Sequence, residues 1–233
     1  VDQVSERLFP KEFPGWKPIP RGLMSVGQGL AISFAFYLLS LAVGVYLAVT
    51  VGWVALAIAI PGIFLSYFYA APPLKLDYRG FALGEVAIFV SFGPIPTLGA
   101  FYVLTGGLGL LPLLVSVPVG LLTANVVMTH DLIFFDSYKL AGKRSLAVVL
   151  GRARTEALTF GLSLAATAFA LLLAALKEIP AASALVVLAL PLLFLRGLPS
   201  KADRPVPEYA RMTALTFVYS VVFSVLLSVG IFI

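Results

Sequence analysis

Seven apolar runs divide the chain, over residues 23–48, 51–71, 81–104, 109–129, 155–176, 179–195 and 212–233. Each is near the length that a tilted helix needs to cross a hydrocarbon core of about 30 Å. The pattern predicts an all-α fold, a multi-span transmembrane helical bundle with seven spans in this numbering. The 179–195 run is the shortest, and Pro191 predicts a kink within it.

The polar connections alternate in character. Residues 49–50, 105–108 and 177–178 are very short and together hold one cation, Lys177. Residues 1–22, 72–80, 130–154 and 196–211 hold the other 15 of the 16 Lys and Arg residues. The positive-inside rule therefore places all four stretches on the cytoplasmic side. The same stretches carry eight of the eleven acids; Glu85 and Glu156 lie just inside the cytoplasmic ends of spans, and Glu178 lies on the opposite side. Orientation needs cations and gains little from acids, so the acids call for another explanation.

Composition supports the membrane reading. The chain is 61% hydrophobic and 12% charged, with a mean hydropathy of +1.04, against the roughly 25% charged residues of a soluble domain. The absence of cysteine excludes a disulfide framework and any Cys-based metal site or nucleophile, and a single histidine excludes a multi-His centre. A divalent ion would have to be held by oxygen, which favours Mg²⁺. Residues 1–21 are polar and contain Pro10, Pro14, Pro18 and Pro20, which predicts an irregular loop. This segment has no apolar core of a signal peptide and no initiator Met, so the numbered chain is expected to begin inside a longer protein. Without a long linker, low-complexity tract or inverted repeat, residues 1–233 are expected to form one domain.

The richest chemistry lies in residues 130–154, HDLIFFDSYKLAGKRSLAVVLGRAR. Asp131 and Asp136 follow an apolar span, and Lys139, Lys143, Arg144, Arg152 and Arg154 come after them. Acids at the end of a span are costly unless they pair or bind an ion, and an acid pair beside cations suits a metal-bound diphosphate. On an unbroken helix the two carboxylates would point about 140° apart, so they share an ion only if the helix ends or bends between them. Asp2 and Glu6 have i, i+4 spacing and would face one way on a helical turn. His130 is expected to be a hydrogen-bonded structural residue. Asn125 and Thr129, on one face of the preceding span, reach toward the same region or bond a neighbouring helix. Lys143 and Arg144 are the cations expected to meet a diphosphate, whereas Arg152, Arg154, Lys201 and Arg204 are expected to set topology. Tyr67, Tyr69, Tyr78 and Tyr102, with Phe64 and Phe68, can line an apolar tunnel or shield a carbocation.

Three stretches resemble the UbiA-type intramembrane aromatic prenyltransferases. Residues 69–107, YAAPPLKLDYRGFALGEVAIFVSFGPIPTLGAFYVLTGG, resemble the corresponding segment of the naphthoate (menaquinone) branch. Residues 141–152, AGKRSLAVVLGR, are similar to the run after the family's second acid motif, and residues 17–25, KPIPRGLMS, to the segment entering its third helix. The resemblance covers essentially the whole chain. It implies nine helices in the complete protein, with about two before this numbering, and puts Asp2 and Glu6 at the acid positions of a first motif NxxxDxxxD. Glu6 stands where the family usually has Asp. The second motif, normally DxxxD, falls on Phe134 and Tyr138 when counted back from Gly142, with His130 and Asp131 over an Asn pair; a local shift is needed for Asp131 and Asp136 to serve instead.

The resemblance also implies the activity: Mg²⁺-dependent transfer of an isoprenyl group from its diphosphate to a lipid-soluble aromatic acceptor. Asp2, Glu6, Asp131 and Asp136 would hold the metal. Arg79, Lys143 and Arg144 would draw charge onto the leaving diphosphate, with Arg21 beside them, and Asp131, Asp136 and Arg79 would carry the catalytic step. Tyr67, Tyr69 and Asn125 would contact the prenyl chain or the acceptor. Expected partners are the isoprenyl diphosphate, the acceptor and the bilayer, with no nucleic acid, and the site would face the cytoplasm from the cell membrane. A glyceryl phosphate or porphyrin-type acceptor is the alternative within the family. A membrane transporter is the alternative from another class, although transporters place ionisable residues near the bilayer midplane.

Overall fold

The computed structural model describes Pro18, Ile19 and residues 22–233. Asp2, Glu6 and Arg21, and most of the expected loop over residues 1–21, lie outside the described residues.

Among the described residues the chain is helical, with no strand: α1 (Val26–Thr50), α2 (Val54–Ala70), α3 (Leu83–Phe92), α4 (Pro94–Thr105), α5 (Leu110–Ile133), α6 (Phe135–Leu140), α7 (Leu146–Leu150), α8 (Arg152–Ala175), α9 (Leu190–Leu195) and α10 (Val206–Phe232). Short 3₁₀ segments occupy Leu76–Tyr78 and Ala181–Ala189. Helix α1, the α3–α4 pair, α5, α8 and α10 are each long and apolar enough to cross a bilayer, and α2 and residues 181–195 are shorter apolar helical segments. Helix α1 opens on a reciprocal cap: Gln28 N–H donates to Ser25 Oγ at 3.2 Å, and Ser25 N–H to Gln28 Oε1 at 2.8 Å.

Several ends differ from the expected ones, because the apolar run marks the hydrocarbon slab while backbone hydrogen bonding continues into the interface. Helix α5 runs on to Ile133 rather than stopping at Thr129, and breaks at Phe134. Asp131 thus lies in the last turn of the span. Helix α8 begins at Arg152 and α10 at Val206, before the expected Thr155 and Met212. Pro191 falls in the first turn of α9, after the 3₁₀ segment, where its missing N–H breaks no helical bond.

The expected 81–104 span is in fact two helices, parted at Gly93 and restarted at Pro94. Close packing on α5 requires glycine on both sides of the contact at this break. A Cβ on Gly93 would stand 2.8 Å from the Ser116 carbonyl oxygen, and one on Gly120 would stand 2.7 Å from that of Phe89.

The main core gathers Leu122 of α5, Ala166 and Ala170 of α8, Val186 and Leu193, and Tyr219 and Phe223 of α10. Polar groups enter it as a column along α8: Thr155, Thr159, Ser163 and Thr167, each four residues on and all buried. Asn125 donates to the Thr159 carbonyl at 3.0 Å and to Ser163 Oγ at 3.1 Å. Tyr219 meets Thr167 and donates to the Ser163 carbonyl at 3.2 Å, while Arg196 donates to Thr159 Oγ1 at 2.8 Å. These bonds let polar groups sit inside the bundle, where lipid offers no partner. By contrast, α1 has Gly44 as its one buried residue.

Candidate active site

The turn between α2 and α3, the end of α5 and the stretch between α6 and α7 meet at one charged cluster. Asp77 sits in the 3₁₀ turn Leu76–Tyr78, pressed against the start of α3 at Gly84, where a Cβ would lie 3.0 Å from Asp77 Cα. Gly142, at φ +71°, turns the chain after α6, and Lys143 N–H donates to the Tyr138 carbonyl at 2.9 Å. The Lys143 side chain then reaches 2.7 Å from Asp77 Oδ2 and 3.8 Å from Asp131 Oδ1. Its ammonium lies 3.9 Å from the centre of the Tyr138 ring and 5.9 Å from that of Tyr78. Glu85, in the first turn of α3, accepts the Leu146 N–H at 2.8 Å and so ties α7 to α3. Asp77, Glu85, Asp131 and Lys143 are all buried, and Asp131 Oδ2 has no hydrogen-bond partner.

Burial pushes the Asp77 carboxyl above the ordinary carboxylate range, and Lys143 pulls it back down. The Tyr69 hydroxyl lies near the same carboxylate. Tyr69 therefore joins the cluster to the apolar space between α2 and α3.

The remaining residues singled out in the sequence separate around this cluster. The break at Phe134 sends Asp136 into a different network, where Arg152 donates to it at 2.7 Å and to Asp203 at 2.9 Å. Asp131 and Asp136 are thus not brought onto one ion, despite the helix end between them. Lys143, expected to be a cation open to diphosphate, is 6% exposed and committed to Asp77 and Asp131. Arg144 and Arg79 are exposed, and Arg79 donates to the Pro73 carbonyl at 2.9 Å. His130 stands half-exposed beside Asp131 at 3.9 Å and against the Phe134 ring. Asn125 faces α8 through Thr159 and Ser163, and Tyr67 lines a groove toward α1, edge-on to Tyr37. Of the cations assigned to topology, Arg204 pairs with buried Glu156 at 3.1 Å.

Sequence reasoning passed over Asp77 and Glu85 as site residues. Both are acids at or just beyond the ends of apolar runs, where orientation needs no acid, and that position was the available signal.

A metal was expected at the second acid stretch, and the described residues there do not fit one. Asp77 and Asp131 converge on an ammonium, Asp136 on a guanidinium, and among the described residues no group of three or more His, Asp or Glu side chains is placed to hold a metal ion. Asp2 and Glu6 lie outside this comparison.

The chain resembles curated proteins over parts of its length. A 1,4-dihydroxy-2-naphthoate octaprenyltransferase of Bacillus subtilis is 25% identical over 122 residues, 52% of this chain and 39% of that protein. Its counterpart in Mycobacterium tuberculosis is 36% identical over 106 residues, 46% of this chain and 35% of that protein. A 2-carboxy-1,4-naphthoquinone phytyltransferase of Synechocystis is 34% identical over 99 residues, 42% of this chain and 32% of that protein. These matches span less than half of each relative's own length. No solved structure matches the chain. The pattern of one family, however, runs through nearly the whole bundle, from residue 15 to residue 221, across the charged cluster and the split span alike, and on that ground the chain belongs to the UbiA prenyltransferase family.

Proposed function

We propose that the protein is an intramembrane prenyltransferase that moves an isoprenyl group from its diphosphate to a lipid-soluble aromatic acceptor of the naphthoate or quinone type. The family match over residues 15–221 carries this reading, and the naphthoate and naphthoquinone prenyltransferases among its relatives favour that acceptor. The single-domain organisation over residues 1–233, the cytoplasmic orientation of the site and its place in the cell membrane belong to the same proposal.

In this reaction the C–O bond of the allylic diphosphate breaks and diphosphate leaves with the electron pair. A carbon of the electron-rich ring then bonds to the allylic cation, and the ring proton is released. The exposed guanidinium groups of Arg79 and Arg144, with Arg21, suit the leaving diphosphate because Arg presents paired donors to phosphate oxygens. Lys143 acts from behind them, holding Asp77 and Asp131 in place, while Tyr69 faces the reacting groups from the apolar side. The bundle excludes water from the allylic cation, which water would otherwise quench to an alcohol. Mg²⁺, with Asp2 and Glu6 as its proposed ligands, would neutralise diphosphate charge; no residue of the second acid stretch is assigned to it.

The test is release of diphosphate from geranylgeranyl diphosphate by purified protein in lipid nanodiscs, with 1,4-dihydroxy-2-naphthoate, in Mg²⁺ or in EDTA. Prenylated product with stoichiometric diphosphate, lost in EDTA, is the expected result. Absence of both product and donor binding with a range of aromatic acceptors would overturn the reading and favour a transporter.

A further inference from the structure

Helix α6 is six residues long, too short to hold its own conformation. It nevertheless carries Tyr138, whose carbonyl accepts the Lys143 N–H and whose ring lies beside the Lys143 ammonium. Its placement has to come from outside. Asp136 and Tyr138 are two positions apart and so point about 200° apart around the helix. One side of α6 meets Lys143, and the other meets Arg152. The Asp136–Arg152 contact is the one ion pair that α6 makes among the described residues.

Arg152, the first residue of α8, joins two separate acids. One arm of its guanidinium donates to Asp136 Oδ2 at 2.7 Å and the other to Asp203 Oδ2 at 2.9 Å. The guanidinium carbon stands 4.6 Å from the centre of the Phe135 ring and 5.8 Å from that of Tyr209. The Arg152 side chain is 18% exposed, against 56% for Asp136 and 69% for Asp203, so the cation is fixed inside and the acids reach in to it. The loop that carries Asp203 is itself fastened to α8, because buried Glu156 accepts the Ser200 N–H at 3.0 Å and Arg204 Nε–H at 3.1 Å on one oxygen. Asp203 is therefore an anchored post.

We propose that Arg152 is a positioning residue for prenyl transfer: it clamps α6 to the loop at Asp203 and so fixes Tyr138 and, through it, the Lys143 ammonium between Asp77 and Asp131. The inference rests on the prenyl-transfer reading above. Setting topology needs only a positive charge, which a lysine would supply. Bridging two carboxylates while lying against an aromatic ring needs the planar fork of a guanidinium, which a point-charge ammonium does not match. None of the residues that Arg152 holds is assigned to the diphosphate or the acceptor, so ground-state binding survives loss of the clamp. The ionisation step, in which charge passes onto the diphosphate, responds to a displaced ammonium.

The test compares Arg152→Lys, which keeps the charge, with Asp203→Asn, an exposed change that removes the far post, both on the full protein in nanodiscs. Amide hydrogen exchange over residues 135–145 should quicken at least about fivefold in either variant. In the transfer assay above, kcat should fall at least about tenfold while KM for donor and acceptor stays within about twofold of the parent. The chain has no cysteine, so the clamp can be replaced: Arg152→Gln/Asp136→Cys/Asp203→Cys, bridged by a short bismethanethiosulfonate, should regain most of the parent rate and lose it again in reductant. Parent exchange and parent kcat in Arg152→Lys would reduce Arg152 to a topological charge and overturn the inference. Faster exchange with kcat unchanged would overturn it, as would a lost rate that the bridge does not restore. A rise in KM alone would place Arg152 at a substrate, against the inference. If Arg152→Lys fails to fold, Asp203→Asn decides by the same measures. If the parent transfers nothing, the prenyl-transfer reading fails, while the exchange measurement still decides whether the clamp holds α6.

Discussion

Lys143→Met removes the ammonium held between Asp77 and Asp131 while keeping an unbranched side chain of similar length. The lysine is 6% exposed and 2.7 Å from Asp77 Oδ2. Breaking a buried pair by removing one partner costs about 3–5 kcal/mol, because the other charge is left uncompensated. Helix α5 and the Asp77 turn then have two buried carboxylates facing each other's field. The double variant Lys143→Met/Asp77→Asn should recover more than half of the loss, since the closer carboxylate goes with its counterion. Unfolding in SDS, followed by far-UV circular dichroism, measures both. The pH dependence has a definite sign. Burial holds the Asp77 carboxyl above its ordinary value, and without Lys143 it rises further. A carboxyl raised in the folded state contributes its stability below the unfolded pKa and loses it as pH rises through the folded value. The deficit of Lys143→Met should therefore be full at neutral pH and shrink as the solution is acidified through that raised value. A loss below about 1 kcal/mol, well under the range for a buried pair, would refute the buried-counterion account. Weakened donor binding without loss of stability would return Lys143 to the diphosphate.

Asp136 is largely exposed in its pair with Arg152, so Asp136→Ala should cost less than about 1 kcal/mol; a Mg²⁺ requirement that changes in this variant would show that Asp136 serves the metal. Gly120→Ala places a methyl against the Phe89 carbonyl and should destabilise by about 1–3 kcal/mol through overpacking, read in the same SDS titration. Tyr219→Phe removes the hydroxyl shared with Thr167 and Ser163. It should cost about 0.6 kcal/mol and no more than about 1.7, with transfer kinetics unchanged.

The spans were legible in the sequence because a bilayer imposes a length that soluble packing does not, and apolar runs show it directly. Their ends were less so: Asp131 reads as a loop residue by polarity, yet the helix carries it on to Ile133. The break at Gly93 had a signal in the run Gly93-Pro94-Ile95-Pro96, masked by uniform hydrophobicity on both sides. The partition of the charges was not legible. Which of two nearby cations meets which acid depends on the turn at Gly142, which directs Lys143 inward, whereas its neighbour Arg144 is exposed. Asp77 and Asp131 are 54 residues apart in the numbering, and only the packing of the Asp77 turn, α3 and α5 makes them neighbours.

The division of one span into α3 and α4 also has a mechanical meaning. Pro94 contributes no N–H, so the helical hydrogen-bond ladder is interrupted at the point where the two halves join, and such points act as pivots. Gly93 fixes that pivot against the α5 backbone, leaving α3 as a short lever ten residues long. Its other end is packed on the Asp77 turn and carries Glu85, which holds the start of α7, so a rotation about the break would carry with it the loop that presents Lys143.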